Sequence, residues 1–91
     1  MVFDHERTTV TFDGRAVKLG ATAFSLLTVL ASRPGRVFSR TELARAVWGA
    51  GYLSPKTVAM QVLRLRQALE ADPLRPRLIV TVRGEGYRLG R

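Results

Sequence analysis

The strongest constraint on this chain is where it can begin and end helices. Ser39-Arg40-Thr41-Glu42 is a capping box, in which the serine oxygen and the glutamate three residues on satisfy each other's orphan backbone donors. Ser54-Pro55 supplies a second start, an N-cap oxygen followed by proline at the position where its missing N–H costs nothing. Arg33-Pro34-Gly35, Gly49 with Gly51, and Pro73 with Pro76 are the stops. This punctuation predicts helices over 22–33, 40–48 and 55–71. No repeat and no Gly-, Ser- or Pro-rich linker divides the chain, and 91 residues carry one hydrophobic core, so 1–91 reads as one domain.

Strands flank the helices. Val2-Phe3, Thr8 to Phe12 and Arg15 to Leu19 alternate as short strands, with Asp13-Gly14 as a hairpin turn, which predicts an antiparallel sheet over 1–20. Leu78 to Arg83, the turn Gly84-Glu85-Gly86 and Tyr87 to Leu89 predict a closing hairpin over 78–89. The fold class is therefore α+β. Phe24, Leu26, Leu27, Val29 and Leu30 make the first helix a core element, and the second is expected to bury Leu43 and Val47.

Charge narrows the function. Lys and Arg number 15 against 7 Asp and Glu, a formal net charge of +8. Residues 1–32 are balanced, three basic against three acidic, whereas 33–91 hold twelve basic against four acidic. The whole excess lies with the last two helices and the closing hairpin, and 13 of the 15 basic residues are Arg, whose planar fork suits phosphate and guanine edges. An acidic partner is implied. The absence of cysteine and the single His5 leave no metal site or cofactor to expect, and no Ser/His/carboxylate motif suggests an enzyme. No apolar run approaches the roughly 18 residues of a membrane span, and residues 1–9 are charged where a signal peptide is apolar. A cytoplasmic protein with no membrane partner is expected.

At 100° per residue, Val58, Val62, Leu65 and Leu69 form one stripe of the third helix. The opposite face carries Lys56, Met60, Leu63, Arg64 and Gln67, with Ala59 to one side. A solvated face has no use for Met60 and Leu63, whereas a helix in the major groove uses apolar groups on thymine methyls, Arg on guanine and amides on adenine. In the hairpin, Arg83 beside Gly84 suits a minor groove and the Tyr87 hydroxyl suits a phosphate. A capped helix, a base-reading helix and a basic hairpin in this order make a winged helix-turn-helix.

Val47-Trp48-Gly49, Lys56-Thr57-Val58, Leu65-Arg66-Gln67-Ala68-Leu69 and Thr81-Val82-Arg83-Gly84-Glu85-Gly86-Tyr87-Arg88 resemble the OmpR/PhoB-type effector domain of bacterial two-component response regulators. The resemblance extends through Phe24-Ser25-Leu26-Leu27 and Arg36-Val37-Phe38-Ser39-Arg40 and covers nearly the whole chain. It implies sequence-specific binding of double-stranded promoter DNA and transcription regulation, usually by two protomers in tandem on direct repeats. The third helix is then expected in the major groove and the hairpin wing in the minor groove. Carried over by position, Ala59, Met60, Arg64 and Arg83 are implied to contact bases. Trp48, Lys56, Gln61, Leu63, Arg66, Thr81, Gly84 and Tyr87 are implied to contact the DNA backbone. Ala50, Gly51 and Tyr52 stand in the loop that in the family can touch RNA polymerase.

Three positions depart from the family pattern. Ala59 replaces an acidic residue found in some members, Leu63 replaces a basic one, and Ala23 lacks a frequent glutamate. The family places a receiver domain, phosphorylated through a histidine kinase, before this one. Residues 1–91 carry no parallel-sheet pattern for it, so an excised output domain or a stand-alone DNA-binder is expected. Two competing classes remain: a winged helix that docks a protein through Met60 and Leu63, and an RNA-binder, which lacks exposed aromatic clusters for stacking.

Overall fold

The computed structural model describes residues 1–49 and 55–90. Strands β1 (Val2–Asp4), β2 (Thr9–Phe12) and β3 (Arg15–Lys18) form an antiparallel sheet in that order. Phe3 pairs with Val10 and Val10 with Val17, which sets Val10 in the core. Asp13 and Gly14 both take positive φ, +48° and +74°, as the tight two-residue turn between right-twisted strands requires. Thr8 and Leu19 close the sheet's far end through Leu19 N–H to Thr8 O at 2.9 Å and Thr8 Oγ1 to Leu19 O at 3.0 Å.

Helices α1 (Ala21–Ser32), α2 (Arg40–Trp48) and α3 (Pro55–Leu69) follow, then β4 (Ile79–Val82) and β5 (Gly86–Leu89). α1 lies at the centre and packs against α2, α3 and β5. It buries Ala23, Phe24, Leu26, Leu27 and Leu30, while Val29 is half-buried. It stops at Ser32, one residue short of the expected end, because Arg33 precedes Pro34 and takes φ −141° and ψ 81°, outside helical space. Its first residue is Ala21, one earlier than expected, with Gly20 as N-cap.

The capping box forms as the sequence requires. Glu42 N–H donates to Ser39 Oγ at 3.0 Å and Ser39 N–H to Glu42 Oε1 at 2.9 Å. α2 buries Leu43 and Ala44, whereas Val47, expected in the core, is half-buried in the last turn, at the rim of a nine-residue helix. α3 ends at Leu69, two residues before the expected boundary. Asp72 explains the stop, since its carboxylate accepts from Leu74 N–H at 3.1 Å and its carbonyl from Arg75 N–H at 3.0 Å, winding a turn that replaces further helix.

The β4–β5 hairpin is tied to the entrance of α2. Phe38 and Tyr87 exchange backbone hydrogen bonds of 2.8 and 3.0 Å, and Gly35 N–H donates to Leu89 O at 3.1 Å. Gly86 makes this approach possible: a Cβ there would stand 2.0 Å from the Phe38 carbonyl oxygen, and its φ of +147° disfavours any side chain. Gly86→Ala is therefore expected to destabilise the domain by about 2–4 kcal/mol, measured by urea unfolding.

Glu42 carries a second expectation. The Ser39 amide first, and the Arg36 guanidinium at 2.8 Å second, hold its carboxyl below the usual carboxylate range. A depressed folded pKa stabilises fully above the unfolded value of about 4.3 and loses that contribution as the pH falls through the folded value. The stability advantage of wild type over Glu42→Gln is expected at neutral pH and to shrink in acid, as read from unfolding midpoints across a pH series.

Candidate nucleic-acid interface

α3 divides as its periodicity requires. Val58, Val62, Leu65 and Leu69 are buried against the core, and Lys56, Ala59, Met60, Leu63, Arg64 and Gln67 are exposed. Met60 is 49% and Leu63 46% exposed, two large apolar side chains standing in water between cationic neighbours. Gln61 is half-buried, and together with Arg64 it lines a cleft of about 230 Å³ against the Lys18–Ala23 segment. Ala59, Met60, Leu63 and Arg64 thus form one continuous outward patch, with Lys56 at its N-terminal end.

The hairpin presents a different chemistry. Glu85 N–H donates to Val82 O at 2.9 Å and Gly84 takes φ +76°, which turns the chain tightly and leaves Arg83, Gly84 and Glu85 exposed at the tip. Thr81, Gly84 and Gly86 face Arg40 and Thr41 of α2 across a cleft of about 190 Å³. Trp48 is half-buried against the core. Ala50, Gly51 and Tyr52 lie outside the described residues.

Two residues expected at phosphates are also engaged within the fold. Tyr87 is 5% exposed and belongs to the core cluster. Arg66 turns inward: Nε and Nη2 donate to Ile79 O at 3.1 and 2.9 Å, Nη2 donates to Thr81 Oγ1 at 2.6 Å, and the guanidinium lies 5.9 Å from the Tyr87 ring centroid. The helical wheel put Arg66 at the flank of the outward face, and β4 lies along that flank and offers it the Ile79 carbonyl.

One residue missed in the sequence joins it. Glu70, four residues on, accepts from the amides of Arg77 at 2.9 Å, Leu78 at 2.9 and 3.0 Å, and Ile79 at 2.7 Å. The spacing of Arg66 and Glu70 marks them as neighbours on a helix. Nothing in it shows that their partner is a strand.

Among the described residues, no group of three or more His, Cys, Asp or Glu side chains is placed to hold a metal ion, and no helix is long and apolar enough to cross a membrane. His5 stacks edge-on against Phe24 at 5.3 Å. Residues 14–89 match the family model described as "Transcriptional regulatory protein, C terminal". The chain belongs to that family. It is an OmpR/PhoB-type winged-helix domain, of a DNA-binding and non-enzymatic family.

The phosphate regulon transcriptional regulatory protein PhoB of Rhizobium meliloti is 48% identical over 87 residues, 94% of this chain and 38% of that protein. The response regulator DrrB of Thermotoga maritima, an OmpR/PhoB homolog, superposes with a TM-score of 0.80 at 37% identity, covering 89% of this chain and 37% of that one. The DNA-binding domain of the response regulator AdeR, solved in complex with an intercistronic region, matches with a TM-score of 0.79 at 28% identity over 97% of this chain and 90% of that one. The chain spans 34% to 44% of the length of the curated relatives it matches first.

The two faces of α3 separate under mutation. Leu65→Ala is expected to cost about 2–5 kcal/mol of stability through its cavity, whereas Met60→Ala and Leu63→Ala are expected to stay within about 0.5 kcal/mol. Denaturant unfolding of the three variants checks this.

Proposed function

We propose that this winged-helix domain binds double-stranded promoter DNA sequence-specifically and regulates transcription, with α3 in the major groove and the β4–β5 wing in the adjacent minor groove. The observation that carries the proposal is the exposed face of α3. Met60 and Leu63 stand in water beside Lys56 and Arg64, on the part of the chain that holds the whole excess of positive charge. A solvated face gains nothing from the two apolar groups, and a base edge uses both kinds. The AdeR domain, of the same fold, is bound to an intercistronic region.

In this reading Ala59, Met60, Arg64 and Arg83 contact bases. Lys56, Gln61, Leu63, Arg66, Trp48, Thr81, Gly84 and the hydroxyl of Tyr87 contact the sugar-phosphate backbone. Ala59 carries no carboxylate to accept from cytosine, so base selection at its step rests on its methyl group and on the adjoining Met60. Two protomers bind in tandem on direct repeats, which supplies the affinity that a single 91-residue module lacks. The domain acts in the cytoplasm as the output of a response regulator, under a receiver domain and its histidine kinase. Ala50, Gly51 and Tyr52 contact RNA polymerase.

Selection from a random duplex pool gives the site, and titration against salt gives the phosphate count, with a log-log slope of about 0.9 per phosphate neutralised. Arg64→Ala is expected to cost roughly 1–3 kcal/mol and to relax preference at one base pair. Salt-insensitive binding with no selected motif would instead support a protein-docking role for Met60 and Leu63.

A further inference from the structure

Strand alternation explains why Arg66 and Glu70 matter. In the hairpin, Gly90 N–H donates to Leu78 O, and Val80 and Val82 pair with Arg88 and Gly86, so the Leu78 carbonyl and the backbone groups of Val80 and Val82 face β5. Ile79 and Thr81 therefore direct theirs away, along an edge that has no neighbouring strand among the described residues. Glu70 takes the Ile79 N–H and Arg66 takes the Ile79 carbonyl and the Thr81 hydroxyl. Two side chains four residues apart, Arg66 in the last turn of α3 and Glu70 just past its end, thus grip both backbone groups of one wing residue, as a paired strand would.

The opposite edge of the hairpin is held by Phe38 and Gly35. With both edges engaged, the wing's angle to α3 is set by polar contacts of fixed geometry. Arg suits this role because its planar fork reaches two acceptors at once, which a lysine ammonium does not reproduce.

We propose that Arg66 and Glu70 are positioning residues that lock the wing to the recognition helix, so that major-groove and minor-groove contacts are made by one rigid reader. The inference rests on the DNA-binding reading above. It gives an acidic side chain in a DNA-binding domain a positive effect on DNA affinity, the opposite of its Coulombic effect. It also assigns Arg66 a contribution that charge alone cannot supply.

Two charge-informative variants test it. Arg66→Lys keeps the cation and loses the fork; Glu70→Gln removes a negative charge and weakens the grip on the three amides. Each is expected to weaken binding to the selected duplex by roughly three- to tenfold, and each loss is expected to shrink in an Arg83→Ala background, where the wing no longer contributes its base contact. Binding of Arg66→Lys equal to wild type, together with Glu70→Gln binding as tightly or more tightly, would overturn the proposal.

Amide hydrogen exchange without DNA reads the lock separately. Thr81 and Val82 are expected to exchange faster in both variants than in wild type, and the Leu26 and Leu27 amides of α1 to remain protected. Equal wing exchange in all three proteins overturns the lock irrespective of DNA. Failure of the wild-type domain to select any duplex, with wing exchange accelerated in the variants, would locate the error in the DNA reading and keep the lock as a structural device.

Discussion

The backbone exchange between Phe38 and Tyr87 is the contact on which the functional half of the domain depends. It brings the closing hairpin against the entrance of α2, and it exists because Gly86 leaves room for the Phe38 carbonyl. Tyr87 then places its ring in the core with Phe38, and Arg36 lies 4.4 Å over the Phe38 ring while pairing with Glu42. One backbone pair thus joins the wing, the capping box and the core. A two-stranded hairpin by itself is of marginal stability, and this pair is one of the contacts that anchor it to the rest of the domain.

α1 supplies the other half of the arrangement. Its buried residues receive the inward stripe of α3 from one side and Leu43 of α2 from another. Once Val58, Val62, Leu65 and Leu69 are committed to that contact, the helical period leaves Met60, Leu63 and Arg64 no alternative to solvent or a ligand. The outward patch follows from the demands of the core.

The acidic residues of the basic segment show how its charge is kept available. Glu42 is occupied by Ser39 and Arg36, Glu70 by three backbone amides, and Asp72 by the turn that follows α3. None of these three carboxylates points along the outward face of α3 to neutralise Lys56 or Arg64. Glu85 is the exception, exposed at the tip beside Arg83. With twelve basic residues against four acidic ones, the segment keeps an excess of positive charge, and these three carboxylates are tied to partners away from Lys56 and Arg64.

Much of this was legible from local chemistry. The Ser39–Glu42 box, the Asp13-Gly14 turn and the stripe of α3 are each set by neighbours within a few residues, where propensity and periodicity act directly. The outward placement of Lys56, Ala59, Met60, Leu63 and Arg64 follows from the same stripe. Arg66, Glu70, Tyr87 and Gly86 were decided by tertiary structure, because each is matched to groups 7 to 49 residues away along the chain that only folding brings near. A cation on a helix flank serves a phosphate or a carbonyl equally well by type. Which one it serves depends on whether a strand edge with unpaired backbone groups lies beside it, and that is a property of packing.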